Sequence, residues 1–476
     1  MLLAIDQGTT GTTCLVVDEE LRPRGRGYRE IAQHFPSSGW VEHDPDELWE
    51  SVLVAAGDAL ASARIEAGDL TAVGLANQRE TTIVWERSTG RPVHRAIVWQ
   101  DRRTAERCKE LPRDLIRDRT GLVPDPYFSA TKLEWLLSDR DAAGLAFGTV
   151  DSWLLWKLTN GDVHATDVSN ASRTQLVDLE SLEWDPDLLE LFGVPEAVLP
   201  RIVPSSGVVG EADLLGAQLP IAGIAGDQQA ALFGQACFLP GKAKATYGTG
   251  SFVLVNAGTD TPRPPEGLVA TAAWRLGDEA PVYALEGSIF VTGAALQWLR
   301  DGLGILESAA ESEELARSLP GNEGVYFVPA LTGLGSPHWE PEARGVLTGL
   351  SRGTRREHLV RAALEAIAYQ TRDVLDLMEV GVELLRADGG GAENRFLMQL
   401  QADLARVPVE VPAERETTAL GAAALAGLAT GVWSNLSELA AAWRPAARYE
   451  PELEEAEAER LLAEWRLAVR RALLPG

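Results

Sequence analysis

The chain has 476 residues, 45% of them hydrophobic and 24% charged. That is too long for a single core and enough for two large domains. A net charge of −27 excludes a general binder of nucleic acid or anionic membrane, which needs a basic face.

Leu2–Ile5 is a short apolar strand ending at Asp6, followed at once by Gly8, Thr9 and Thr10. Such a turn suits phosphate. The glycine admits close backbone approach, amides and hydroxyls donate to phosphate oxygens, and the carboxylate holds Mg²⁺ through water. Cys14–Val17 and Gly27–Ile31 continue as strands, and an amphipathic helix runs from about Asp46 to Ala63 with Pro45 in its first turn. Ala72–Leu75 and Thr82–Trp85 flank the polar insert Asn77–Glu80. Alternating strands and helices indicate an α/β architecture.

The pattern restarts after residue 200. Ile221–Ala225 is an apolar strand ending at Gly226-Asp227, followed by a small-residue helix, Gln229–Phe233. Ala245–Tyr247 leads into a second turn of glycines and hydroxyls, Tyr247–Ser251, and then the strand Phe252–Val255. A further strand covers Val282–Glu286, helices cover Thr292–Arg300 and Arg356–Met378, and Ala387–Asp388 ends at a triple glycine. The tail from Glu450 is a charged amphipathic helix, read as a solvated cap. These features divide the chain into halves 1–236 and 237–476, each with one phosphate-type turn, and point to a nucleotide held between two lobes.

Three unclustered cysteines, Cys14, Cys108 and Cys237, fit neither a metal site nor a disulfide framework. The N-terminus lacks the basic region of a signal peptide, and the apolar stretch Ala419–Val432 is too short to span a bilayer. A reducing cytoplasm is the expected compartment.

Nine segments resemble the glycerol kinases of the FGGY carbohydrate kinase family. They are D-Q-G-T-T (6–10), G-W-V-E-H-D-P (39–45), N-Q-R-E-T-T-I-V-W (77–85), A-I-V-W-Q (96–100), D-P-Y-F-S (125–129), G-I-A-G-D-Q-Q-A-A-L-F-G (223–234), Y-G-T-G (247–250), Y-Q-T-R-D-V-L (369–375) and D-G-G (388–390). They span nearly the whole chain in the family's order. The resemblance implies a two-domain actin-like ATPase fold, a duplicated ribonuclease-H-like sheet with substrate and ATP in the interdomain cleft. It also implies ATP-dependent phosphorylation of glycerol to sn-glycerol 3-phosphate by direct transfer of the γ-phosphoryl group.

Carried over residue by residue, the resemblance makes Arg79, Glu80 and Gln228 hydroxyl ligands and Trp99, Tyr127 and Phe252 walls of the polyol pocket. Asp227 becomes the general base; from the residues alone, it serves equally as the N-cap of the helix beginning at Gln228. Asp6 acts on Mg²⁺, and Gln7, Thr9, Thr10 and Thr249 lie at the phosphates. Gly293, Gln297, Gly390 and Asn394 lie on the nucleotide side. His43 and His338 are read as structural. The family's forms imply a dimer or tetramer. Thr13 stands where bacterial members carry a phosphate-contacting arginine, and Gln218 where members inhibited by fructose 1,6-bisphosphate carry an effector-binding one, so that inhibition is expected to be weak or absent. Two other readings remain: a kinase of another small polyol or ketose in the same family, and an actin-like ATPase without a polyol substrate.

Overall fold

The computed structural model describes residues 1–474. Strands β1 (Leu2–Gln7), β2 (Gly11–Val17) and β3 (Pro23–Glu30) form an antiparallel meander. Helix α1 (Pro45–Ala63) then carries the chain back to β4 (Ala72–Asn77), which lies parallel to β1. Asp44 caps α1 through Asp46 N–H, and Pro45 takes its first turn, where a missing N–H costs nothing. With β5 (Ser206–Leu214) and β6 (Ala217–Gly226), the sheet order is β5-β6-β4-β1-β2-β3. The unbroken burial of β4 and near-unbroken burial of β1 mark central strands covered on both faces.

The second sheet repeats this plan. It contains β7 (Lys242–Tyr247), β8 (Ser251–Gly258), β9 (Val269–Trp274), β10 (Val282–Ile289), β11 (Leu384–Asp388), β12 (Val409–Pro412) and β13 (Pro445–Tyr449), in the order β9-β10-β8-β7-β11-β12-β13. As β1 does with β2 and β4, β7 pairs antiparallel with β8 and parallel with β11.

The principal helices besides α1 are α2 (Asp227–Gly234), α3 (Arg356–Leu375), α4 (Arg395–Ala405), α5 (Thr417–Ala429) and α6 (Glu455–Ala472). Although α5 comes late in the chain, it lies on the first sheet. Ala419, Ala422, Ala423 and Ala426 share one core with Leu2, Ala4, Ala72 and Ala225. It crosses α2 backbone against backbone: a Cβ on Gly421 would fall 1.8 Å from the Ala230 carbonyl, and one on Gly234 2.0 Å from that of Thr417. This crossing explains the small apolar residues of 419–432. No helix among the described residues is long and apolar enough to cross a membrane, and all three cysteines are buried and free.

Two readings need revision. The helix expected over 292–300 is α-helical only for Gly293–Gln297, then widens into a π-helical turn, Trp298–Gly302. The tail is more than a solvated cap: Trp465 is buried and stacks on Tyr369 with centroids 5.3 Å apart at 19°, so one face of α6 completes the second core.

Gly421→Ala is expected to cost ~3 kcal/mol, because the added methyl has only backbone to displace. Gly57→Ala, in α1 with nothing within 4 Å of its Cβ position, should gain about 0.5–1 kcal/mol. Urea midpoints of the two variants against the parent check both.

Candidate active site

The first sheet delivers its chemistry at strand ends. β4 ends at Asn77, and the next three residues, Gln78, Arg79 and Glu80, are all buried. Glu80 takes a left-handed backbone, φ 60°, which costs a non-glycine residue ~1–2 kcal/mol. Ser129 Oγ and Thr82 Oγ1 hold its carbonyl, each at 3.0 Å. The Glu80 carboxylate is turned to buried Arg173, whose Nε donates to it at 2.6 Å.

Asp227 follows β6 as the first residue of α2, and Gly226 occupies the cap position. Its Oδ1 accepts the adjacent Gln228 N–H, at 2.7 Å, rather than the amides two or three residues on that an N-cap would hold. The alternative capping role is therefore not the geometry seen. The Asp227 side chain is 28% exposed, while Arg79 and Glu80 beside it are 2% and 1% exposed. Burial raises its pKa above the ordinary carboxylate range, against the opposing pull of Arg79 and Lys244.

Arg79 organises the surroundings. Its terminal nitrogens reach the two Glu286 oxygens at 2.5 and 3.0 Å, Tyr127 Oη at 3.0 Å and Gln229 Oε1 at 3.3 Å. Its Nε lies 3.4 Å from Asp227 and 3.7 Å from Glu80. Arg173 completes the cluster by donating to Glu80 at 2.6 Å and Glu286 at 3.1 Å. Burial works to raise the Glu286 carboxyl, but Arg173 and Arg79 overcome it and bring it down to about 2. For Glu80, burial wins over Arg79 and Arg173, and its pKa is raised.

The expected walls meet here. Trp99 packs edge-on against Tyr127 and Phe252, with centroids 5.5 and 6.4 Å away, and the Arg79 guanidinium lies 5.8 Å from the Phe252 ring. The Tyr127 loop is fixed from beneath by buried Lys132, whose ammonium donates to the carbonyls of Pro126, Tyr127 and Phe128 at 3.0, 2.7 and 2.7 Å. Lys244 Nζ donates to Gln228 Oε1 and, at 2.9 Å, to Thr246 Oγ1. These contacts orient the Gln228 amide with its oxygen toward Lys244. Burial lowers both lysines to about 8.

On the phosphate side, Thr9 Oγ1 accepts the Trp99 indole N–H at 2.9 Å, tying the first turn to the pocket wall, and Thr10 is exposed. Gln7 points elsewhere: it is buried, its Nε2 donates to Gly8 O at 2.7 Å, and its Oε1 accepts from Gln78 at 3.1 Å. Its side chain braces the turn from the protein side. His43, against Gln78 at 3.3 Å, belongs to the same brace, and burial lowers it to about 4. Asp6 is raised well above the carboxylate range, first by burial and then by Asp227 and Glu416. Both charged neighbours are carboxylates, so the environment favours a counter-cation. Thr13 sits directly opposite Asp6 in the β1–β2 register and supplies no charge.

Thr249, Gly293, Gln297, Gly390 and Asn394 come together around a cavity of about 420 Å³ between the second sheet's turn and α4. Asn394 caps α4 and donates to Ser312 Oγ at 3.2 Å.

Arg173, Lys244 and Glu286 were not singled out from sequence. The available signal was slight: a lone charge inside an otherwise apolar strand, as in V-Y-A-L-E-G-S-I for Glu286.

Two copies of one sheet plan, each contributing a glycine- and hydroxyl-bearing turn, define a two-lobed α/β kinase of the actin-like ATPase type. Residues 1–234 match the N-terminal domain of the FGGY family of carbohydrate kinases and residues 243–430 its C-terminal domain, and the chain belongs to that family. It is 53% identical over 489 residues to glycerol kinase 2 of Thermotoga maritima, covering 99% of this chain and 98% of that one. It is 54% identical over 493 residues to a glycerol kinase of Leptothrix cholodnii, covering 99% of each. Among solved structures, a Plasmodium falciparum glycerol kinase with ADP superposes with a TM-score of 0.94 at 34% identity, covering 100% of this chain and 98% of that one. A xylulose kinase from Rhodospirillum rubrum gives 0.86 at 25% identity, covering 98% of each.

A carboxyl raised on folding destabilises the fold as pH rises through its folded pKa, and costs nothing below its unfolded value. Asp227→Asn is therefore expected to melt no lower than the parent at pH 7. The difference should close as pH falls below ~4, where the free carboxyl protonates. Thermal midpoints of the two proteins across pH 4–8 test this sign.

Proposed function

We propose that the chain phosphorylates glycerol with ATP to give sn-glycerol 3-phosphate, Asp227 acting as general base. The observation that carries this is the cluster itself: a partly exposed carboxylate with a raised pKa, set against Arg79 Nε beside the packed aromatic rings of Trp99, Tyr127 and Phe252. The relatives named as glycerol kinases at about 50% identity over the full chain support it.

In this reading, Arg79 donates to one hydroxyl, Glu80 accepts from another and Gln228 donates its amide. Trp99, Tyr127 and Phe252 cover the carbon edge. Asp227 takes the proton of the terminal hydroxyl as its oxygen attacks the γ-phosphorus. Thr9, Thr10 and Thr249 donate to phosphate oxygens, while Gly293, Gln297, Gly390 and Asn394 receive the adenosine. Gln7 acts indirectly by holding the first turn's shape. The lobes divide near residue 236, and their approach excludes the water that would otherwise accept the phosphoryl group. Asp6 fits Mg²⁺, being a half-buried oxygen donor whose charged neighbours are anionic. Bound there with ATP, the ion would neutralise charge on the phosphates.

ADP release with Mg-ATP, measured against glycerol, xylulose, ribulose, erythritol and no substrate, tests the reading. Glycerol should stimulate strongly, and Asp227→Asn should lose ~10²–10⁴ of the rate. Because the base must be ionised and its pKa is raised, kcat should fall on the acid side at a pH above the ordinary aspartate range. Stimulation by a longer sugar instead would overturn the substrate and keep the chemistry, whereas hydrolysis indifferent to every polyol would overturn both.

A further inference from the structure

An arginine has five N–H donors, and Arg79 has committed those of its terminal nitrogens within the protein. Nη1 donates to Glu286 and Gln229, and Nη2 to Glu286 and Tyr127. Nε, flanked by Asp227 and Glu80 at 3.4 and 3.7 Å, is its remaining donor, without a hydrogen bond among the described residues. The group that imposes this orientation comes from the other sheet. Glu286 lies mid-strand in β10, whereas Arg79 and Glu80 follow β4. Arg173 closes the ring by bridging Glu80 and Glu286, giving two cations and two anions with side chains at most 2% exposed. A carboxylate gripping both terminal nitrogens fixes the plane of a guanidinium as well as its position.

We infer that Glu286 is a positioning residue for the polyol site. It holds Arg79 so that Nε, and not a terminal nitrogen, meets the substrate hydroxyl beside Asp227. It thereby adds a charged support from the second sheet, which already supplies the Phe252 wall, to a pocket whose charged hydroxyl ligands belong to the first. Glu286 itself touches no substrate. The inference rests on the kinase reading above and adds to it the group that sets the aim of Arg79.

The test uses the full chain and measures KM for the polyol and for ATP separately in the parent, Glu286→Gln, Glu286→Asp, Arg79→Ala and the Arg79→Ala/Glu286→Gln double variant. Glu286→Gln should raise the polyol KM about tenfold or more while leaving the ATP KM within about twofold, and should add less than about twofold once Arg79 is already alanine. Glu286→Asp, which keeps the charge but shortens the reach, should give a smaller rise of the same kind. A purely structural role would lower the active fraction and the thermal midpoint and leave both KM values alone. That result overturns the inference, as does an equal rise in both KM values or an undiminished effect in the Arg79→Ala background. If Glu286→Gln does not fold, an unchanged polyol KM in Glu286→Asp overturns it as well. The polyol used is whichever one the parent turns over, so failure of the glycerol reading shows in the parent and failure of this inference only in the variants.

Discussion

Four ionised side chains buried in one ring, Arg79, Glu286, Arg173 and Glu80, set the terms for the rest of the molecule. Desolvating such charges is tolerable only with near-complete pairing, and the pairing requires the end of β4 in the first sheet to lie within hydrogen-bond reach of the middle of β10 in the second. The ring thus fixes where the two sheets meet. Burial raises the Asp227 carboxyl beside the ring above the ordinary aspartate value, although Arg79 and Lys244 both pull it down. A site with surplus cation would hold that carboxylate lower and make it a poorer proton acceptor.

The same economy of side chains governs the contact between α2 and α5. Asp227 starts α2, and Gly234 at its other end lies against α5 with no room for a Cβ. The catalytic candidate is therefore carried on a short helix held at one end by strand β6 and at the other by a backbone contact. The first sheet's core residues on this side are mostly alanines for the same reason.

Much of this was readable in the sequence, for reasons tied to particular residues. The strand of Leu2–Ile5, the helix after Pro45 and the turn at Gly226-Asp227 each combine an apolar run with a residue that stops it. Glu286 went unnoticed because a carboxylate reads as the exposed end of a strand. In fact β10 continues through it to Ile289, and its two arginine partners lie 207 and 113 residues away, beyond the reach of any local pattern. Gln7 illustrates a different miss. Neighbouring strand residues face opposite ways, so an Asp6 directed at the cleft turns Gln7 under the turn, although a motif match treats the two alike. Trp465 in the tail was hidden by the charge of its helix, whose buried face is outnumbered by its wet one.

The position of α5 has a consequence for how the chain is made. Synthesis proceeds from the N-terminus, and β1 and β4 emerge from the ribosome long before residues 417–429, which cover one face of their sheet. Until then, that face, lined by Leu2, Ala4, Ala72 and Ala225, lacks its long covering helix and has α2 residues such as Leu232 and Phe233 as its nearest earlier cover. Contacts of such long sequence separation form slowly and leave apolar surface open in the meantime. The boundary of the first family domain is therefore not a boundary of packing, because part of the cover of its sheet arrives only with the last fifth of the chain.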